Sequence, residues 1–435
     1  MSFSAVLIKN NLFHSSNALG TQQLNTMKTS TTISIPVTDS TPKQWTHETL
    51  HPATTSARWE FRIDGKPSGL SADRAWISFL RLRDVIVCEA LLVDGEKILG
   101  SSRSVLAVDW KNWNRHQKNV SLRLHFLKTL IESRSNQTGS VTDAPTRRSR
   151  LSWFARGLWF LRKVMAKVES VLWSEKWQIE ISNTEKRWIL EGDGKNFVAD
   201  TFPVVEAGRQ YVFYENYLDD KKKGVLEARE FRPDSGFGPS FPVLETPYHL
   251  SYPYVWSFEG EWFMVPETSQ NRTVDLYKAL EFPHRWTLVK TLLPDIRAVD
   301  SSLLFYQGRW WLFASVADDA RGSTTDSLHL FFTDDFRTGK WTPHPLNPIV
   351  QDVRSARPAG RPFIRDGKLY RPAQDCSVRY GYAVRIQEVL ELTESTYQER
   401  DGEVLRPRSG TFGIHTYNTE GGWTFADSIV RKRKS

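Results

Sequence analysis

The 435-residue chain has only two cysteines, Cys88 and Cys376, and four methionines. Two distant cysteines with no CxxC and no Cys/His spacing around them exclude a disulfide framework and a structural zinc site. No run reaches the roughly 18 uncharged apolar residues of a membrane span. The apolar stretch Ala5–Ile8 is followed at once by Lys9 and Asn10 and is too short for a signal h-region. A reducing, cytoplasmic location is therefore expected. The patterns G-x-x-x-x-G-K-[ST], H-E-x-x-H, G-x-S-x-G and the EF-hand loop are missing too. Nucleotide hydrolysis and zinc proteolysis have no support, and neither a cofactor nor a metal is expected.

A general basic face is also lacking, although the formal net charge is +8. Residues 141–173 carry Arg147, Arg148, Arg150, Arg156, Arg162, Lys163 and Lys167 against Asp143 and Glu169, a net of +5. The tail Arg431, Lys432, Arg433, Lys434 adds +4, so the remainder of the chain sums to −1. Counterion release along a nucleic acid needs a basic footprint over the folded body, and nucleic acid is excluded as a partner.

Aromatic residues are plentiful. Seventeen Trp, 24 Phe and 13 Tyr make up 12% of the chain, as expected of β-sheet blades or of surfaces that stack on sugars and bases. Residues 1–55, rich in Ser, Thr, Asn and Gln, read as a disordered leader. In 56–136, WEFRIDGKP and VIVCEALLVDGEKIL read as strands around the turn Asp94-Gly95, followed by a helix near 113–134: a small α/β region. Residues 137–150 form a polar linker. Residues 151–173, LSWFARGLWFLRKVMAKVESVLW, have apolar residues at helical spacing with cations interleaved. They read either as an amphipathic helix on an anionic membrane surface, with Trp153, Trp159 and Trp173 at the interface, or as a helix packing on a flanking domain. Packing is the preferred reading, because most amphipathic helices do so.

The second half repeats. Gly208-Arg-Gln-Tyr-Val-Phe-Tyr-Glu215, Gly260-Glu-Trp-Phe-Met-Val-Pro-Glu267, Gly308-Arg-Trp-Trp-Leu-Phe-Ala-Ser315 and Gly367-Lys-Leu-Tyr-Arg-Pro-Ala-Gln374 each pair a turn glycine with an aromatic-rich strand. Eight residues before each glycine stand Asp200, Tyr252, Asp300 and Ala359, at spacings of 52, 48 and 59 residues. A period near 50 with paired strands marks β-propeller blades. The expected fold is mainly β: a five-bladed propeller over 177–430, with a fifth blade including Glu388–Tyr397 and the segment around His415, and with early and late strands closing the ring.

Residues opening the inner strands of a propeller converge on its axis. Asp200 and Asp300 share one phase, Glu215 and Glu267 another, and Asp375 follows Gln374. The frame thus predicts a ring of acids around one pocket. Paired carboxyls suit glycosidic-bond chemistry, one giving a proton and one acting as base or nucleophile. Asp200, Glu267 and Asp300 are the candidate catalytic residues. Arg357, Arg361 and Arg371, set among prolines, are candidate clamps for a phosphate or carboxylate, or counter-ions for the acids. Glu215, Tyr252, Gln374, Asp375, Tyr380 and His415 complete the candidate binding set, and Tyr254 and Trp256 offer ring faces for a sugar or for blade packing.

ADTFPV (199–204), HLSYPYVW (249–256), VPETSQNRTVDLY (265–277), RAVDSSLL (297–304), ARPAGRPF (356–363), YRPAQDC (370–376) and GIHTYN (413–418) together resemble the N-terminal domain of glucosamine inositolphosphorylceramide transferases. The resemblance covers about 177–430. It implies a five-bladed propeller similar to family 43 glycosidases. The exostosin-like sugar-transfer domain of the plant proteins has no counterpart in the sequence, so their activity does not follow from it. The resemblance also implies, from bacterial relatives, that 56–136 is the latter half of a formyltransferase-like domain, without a formyl-transfer constellation. The functional expectation is a carbohydrate-active protein in cell-surface glycan or glycolipid biosynthesis, glycosyltransferase- or glycoside hydrolase-like, whose ligand is a carbohydrate or sugar phosphate. The alternative is a non-catalytic glycan-binding or scaffold module.

Overall fold

The computed structural model describes residues 57–72, 74–75, 83–135, 139–141 and 173–433, with nine positions between 157 and 172. The expected leader, 1–55, lies outside the described residues. The α/β region is a sheet ordered Lys66–Ser68, Arg58–Ile63, Val85–Asp94, Lys97–Ala107, to which Ser140–Val141 adds in parallel beside Arg58–Ile63. That last strand falls in the segment expected to be a linker. The helix Trp113–Ser135 lays Val120, Leu124, Leu127 and Ile131 on Trp59, Phe61, Ile86, Cys88 and Leu92, the i, i+4, i+7, i+11 stripe of a helix that covers one sheet face.

Five four-stranded antiparallel sheets follow among the described residues, forming a propeller. Four are simple meanders, whose first strands are Asn196–Glu206, Ser251–Phe258, Ala298–Tyr306 and Phe363–Arg365. Each first strand turns into the second through a repeated pair: Ala207-Gly208, Glu259-Gly260, Gln307-Gly308 and Asp366-Gly367. Both residues of every pair have positive φ, between 47° and 79°. This is the backbone of a type I′ turn, whose twist matches the strands it joins and which glycine enters without strain.

The closing sheet is ordered Tyr417–Glu420, Trp423–Arg433, Trp173–Ser182, Arg187–Leu190, mixing late and early strands. Here the structure corrects one detail of the repeat. Glu388–Tyr397 does not enter this sheet; it belongs to the outer hairpin of the fourth, Ala383–Leu392 with Tyr397–Leu405. The fourth sheet's first strand is divided, because Pro358 and Pro362 lack the N–H a ladder needs. The chain already bridges at Pro358–Ala373 before the regular strand begins at Phe363. The later elements are displaced along the sequence, and the spacing widens to 59.

The aromatic residues fill the seams between sheets. Phe231 meets Trp423 at 5.3 Å, Phe213 meets Trp286 at 5.9 Å, Trp256 meets Trp310 at 6.1 Å and Phe313 meets Tyr397 at 6.1 Å between ring centroids. Tyr254 and Trp256 are therefore packing residues, not sugar platforms.

The α/β region is joined to the propeller by backbone, by an apolar cluster of Val85, Val87 and Val105 with Val353 and Cys376, and by two helix arginines, of which Arg134 donates to the carbonyls of Leu346 (2.8 Å) and Asn347 (2.9 Å). Val105 exchanges hydrogen bonds with Gln351 (2.9 Å) and Val353 (3.0 Å). Arg123, fully buried on the helix, reaches Asp326 (2.8 Å), Asp319 (3.4 Å), Ser327 (3.1 Å) and Gln351 (3.2 Å). Removing a buried partner leaves uncompensated charge; because Arg321 still holds both aspartates, Arg123→Ala should cost about 3 kcal/mol, the low end for a broken buried pair. Urea unfolding checks this, and a loss no larger than that of Arg58→Ala, in an exposed pair, would show that the charge does not join the layers.

Candidate functional site

The inner strands carry a second repeated feature. Asp200, Tyr252 and Asp300, one phase in three successive sheets, all have left-handed backbones, with φ of 53°, 46° and 52°. At each the register with the second strand slips, between Ala199 and Phe202, Ser251 and Tyr254, and Val299 and Ser302. A bulge turns a side chain out of the alternation, and such backbone strain concentrates at functional positions. Directly across the ladder, Ala199 pairs with Glu215, Ser251 with Glu267 and Val299 with Ser315. The two phases read from the sequence thus meet at one level.

Asp200 is held from three sides. Its Oδ1 accepts from Thr416 Oγ1 (2.8 Å) and lies 3.6 Å from His415 Nε2, while Oδ2 accepts from the Tyr252 N–H (3.2 Å). Its own N–H donates to Asp427 Oδ2 at 3.1 Å. Asp427 also accepts the N–H groups of His415 (2.9 Å) and Thr416 (3.0 Å) and bonds the His415 ring at Nδ1. The imidazole stacks on Trp177, 3.8 Å between centroids. Gly381 is required beside them, since at φ 63° a Cβ there would stand 2.6 Å from the Trp177 ring.

Asp300 receives Arg357 Nε (2.6 Å), Arg357 Nη2 (3.3 Å) and Gln374 Nε2 (2.7 Å). The same guanidinium lies 3.8 Å from Glu267 Oε2 and donates to Tyr380 Oη at 3.3 Å. Glu215 Oε1 faces His249 Nε2 at 3.7 Å, and His249 Nδ1 accepts from the Gly224 N–H (2.8 Å), which leaves the ring proton on the side of Glu215. The group is not sealed: the side chains of Glu267 and Arg357 are 12% and 11% exposed, and Tyr380 is 43% exposed at the mouth.

Burial and mutual repulsion set the proton affinities. Glu215 is pushed well above the usual carboxylate range by burial, then by Asp200, Glu267 and Asp300. Glu267 is raised likewise by burial and Asp300, against the pull of Arg357. Burial raises Asp200 to about 6, with His415 opposing and Asp300 and Asp427 adding. Burial disfavours the His415 cation, but Asp427 and Asp200 outweigh it and hold the ring above the ordinary histidine value. Burial pushes the Cys88 thiol to about 12 and the Cys376 thiol to about 11, so neither is a nucleophile at neutral pH.

The structure brings together Asp200, Glu215, Glu267, Asp300, Arg357, Gln374, Tyr380 and His415. It places the other candidates elsewhere. Tyr252 is fully buried, its hydroxyl bonded to Ser302 Oγ (2.8 Å) and accepting the Gly360 N–H (2.6 Å), so its ring and hydroxyl are taken up by internal partners. Arg361 donates to the carbonyls of Pro203 and Val255 and lies over the Phe202 and Tyr254 rings. Arg371 forks onto Glu399 and the Ser355 carbonyl. Asp375 accepts from the Ser377 N–H (3.0 Å) and Arg385 Nε (2.8 Å). These three fasten the frame. Sequence reasoning missed Asp427 and Trp177, while His249 and Thr416 stood inside the motifs HLSYPYVW and GIHTYN without being picked out individually. The signal for Asp427 was a lone carboxylate inside WTFADSIV, on a strand that pairs on both sides.

Asp200, His415 and Asp427 are a group, among the described residues, whose ligand atoms all lie within 4.8 Å of one another and could hold a cation. In this structure they bond one another, with His415 Nδ1 engaged by Asp427.

A group whose folded pKa is raised contributes stability that is complete below its unfolded value and lost as pH climbs through the folded one. Asp200 loses its share between the ordinary carboxylate value of 3.8 and about 6, and Glu215 and Glu267 lose theirs above their ordinary 4.5. His415 follows above 6.5. The urea midpoint should therefore fall from pH about 5 to about 8, and Glu215→Gln should flatten the slope. A midpoint that rises over this interval would contradict the assignment.

Compared with known proteins, residues 185–418 match the family model described as glucosamine inositolphosphorylceramide transferase 1, N-terminal. The rice (Oryza sativa subsp. japonica) protein named glucosamine inositolphosphorylceramide transferase 1 is 37% identical over 211 residues, 48% of this chain and 28% of the rice protein. Its Arabidopsis thaliana namesake is 33% identical over 207 residues, 47% of this chain and 27% of that protein. The matched part is thus little more than a quarter of these relatives. Solved structures with similarity include a family 117 glycoside hydrolase from Zobellia galactanivorans (14% identity, 58% of this chain and 90% of that one, TM-score 0.39). Another is the GH62 α-L-arabinofuranosidase of Coprinopsis cinerea (15%, 60% and 96%, TM-score 0.40). With more than half of its length matched by the family model, the chain belongs to the family of the glucosamine inositolphosphorylceramide transferase 1 N-terminal domain.

Proposed function

We propose that the protein is carbohydrate-active, its axial acids working on a glycosidic bond or an activated sugar in the synthesis of a cell-surface glycan or glycolipid. The observation that carries this reading is the unequal surroundings of the acids: burial raises the proton affinity of Glu215 and Glu267, whereas Asp300 receives three hydrogen bonds from Arg357 and Gln374. Glycosyl transfer and hydrolysis need such a difference, one carboxyl giving a proton to the leaving oxygen and a second acting as base or nucleophile. Glu267, the most exposed of the four, is the donor. Asp200 is the base, oriented by Thr416 and His415. Arg357 and Tyr380 at the mouth suit a phosphate or sugar hydroxyl. The plant relatives are named for a glucosamine and an inositolphosphorylceramide, which supports a sugar ligand.

One observation favours a non-catalytic glycan-binding or scaffold role: both oxygens of Asp300 are already engaged by Arg357 and Gln374. Glycan-array binding together with turnover of activated-sugar donors and aryl glycosides separates the two readings. Catalysis predicts that Glu267→Gln binds the selected ligand within a few-fold of wild type and loses turnover by roughly 10²–10⁴. Binding without turnover in wild type would replace catalysis with the scaffold role, and neither binding nor turnover would remove the carbohydrate reading.

A further inference from the structure

The positive charge of the chain is confined to two segments distant in sequence, 141–173 at net +5 and 431–434 at +4, while the rest sums to −1. The fold brings the adjoining ends of the two segments together. The strand beginning at Trp173 pairs in antiparallel register with the last strand, Trp173 opposite Arg433, Ser174 opposite Lys432 and Glu175 opposite Arg431. Arg431, Lys432 and Arg433 thus lie beside the start of the strand that follows the helical positions Val171 and Leu172.

Packing on a flanking domain, preferred from sequence, is not seen at the described positions of segment 157–172. At every described position between 157 and 172 the backbone is helical and the residue exposed, with Phe160 at 65%, Val171 at 64% and Met165 at 57%. At 3.6 residues per turn, Phe160, Leu161, Val164, Met165, Val168, Val171 and Leu172 fall within an arc of about 140°. In the same projection of the sequence Arg156, Arg162, Lys163 and Lys167 fall outside it. Exposed apolar stripes of this width mark a docking face, and cations flanking one select an anionic surface. Among the described residues no helix is long and apolar enough to cross a membrane. A helix of this kind lies in the interface.

We propose that the exposed apolar face formed by the described positions between 157 and 172, together with Arg431, Lys432 and Arg433 at the end of the last strand, is a docking surface for an anionic lipid bilayer. The surface is continuous with further exposed groups. Arg379 and Arg431 both pair with Glu175 (2.7 and 3.0 Å), and Arg431 lies 4.3 Å over the half-exposed Phe412 ring. Glu175 and Glu191, which pairs with Lys432 at 2.7 Å, offset part of the charge at the strand end. Tyr380 follows Arg379 directly, and Trp177, its edge-on neighbour, lies five residues beyond the helix end, about 17 Å of strand. Docking therefore brings the mouth of the acid site close to the lipid headgroups. The proposal does not require the acids to be catalytic.

The test is flotation of the full chain with vesicles of phosphatidylcholine containing about a third phosphatidylserine, against phosphatidylcholine alone, since each surface cation strengthens anionic binding several-fold. Wild type should float with the anionic vesicles and release at high salt. The Arg162→Ala/Lys163→Ala/Lys167→Ala variant should bind at least about tenfold more weakly. Val164→Asp/Val168→Asp, at exposed positions, should lose flotation while keeping the wild-type thermal midpoint. No flotation of wild type, or equal flotation of the charge variant, would overturn the proposal. So would a concentration-dependent dimer in sedimentation that Val164→Asp/Val168→Asp abolishes, which would make a second copy of the chain the occupant of this face.

Discussion

The antiparallel pairing of Trp173–Ser182 with Trp423–Arg433 joins strands about 250 residues apart in the chain. A ring of sheets has two free edges until such a pairing is made. Each sheet presents aromatic faces that only a neighbour can cover, and closure removes the edges that would otherwise recruit another chain. Loop-closure entropy grows slowly with length, so tying distant ends is tolerable when ten residue pairs and the Phe231–Trp423 contact form together.

Closure also makes the chemistry of the axis. Asp427, from the closing strand, bonds the N–H of Asp200 in the first sheet, and Asp200 in turn bonds the N–H of Tyr252 in the second. Each carboxylate thereby supports the left-handed backbone of the next sheet, which would otherwise carry uncompensated strain and an unpaired donor. The convergence crowds acids in a poorly solvated space. Two cations, Arg357 and a histidine held above its ordinary value, are placed against five carboxyls, so some of the acids retain protons. Fold closure, backbone strain and proton affinity are one connected consequence of the repeat.

The repeat was legible because its two signals are local. An x-Gly turn and a strand of fixed length recur in phase, and Asp200, Tyr252 and Asp300 could be aligned before their shared bulge was known. Resemblance carried the propeller further, through motifs such as ARPAGRPF and YRPAQDC. What stayed hidden depends on direction rather than position. Arg357, Arg361 and Arg371 have the same chemistry and similar proline contexts, yet only Arg357 faces the acids; the others turn to carbonyls and to Glu399. Tyr252 shares the phase of the aspartates, but its length carries the hydroxyl to Ser302 and Gly360 of later sheets. His249 and Asp427 are outside the repeated frame and meet the site through tertiary contact alone. The segment 157–172 shows the limit of a general rule: its amphipathicity was plain in the sequence, whereas the exposure of its described positions was not.

The account stands on the gathering of these acids in one desolvated cluster whose glutamates keep their protons. Carbon-13 NMR titration of protein labelled at glutamate side-chain carboxyls measures this directly, with Glu215→Gln and Glu267→Gln assigning the resonances. Two carboxyls that remain protonated when the exposed glutamates have ionised are the predicted result. If every glutamate titrates together in the ordinary range near 4.5, the acids are solvated and separate, and the proposed chemistry of the axis is contradicted.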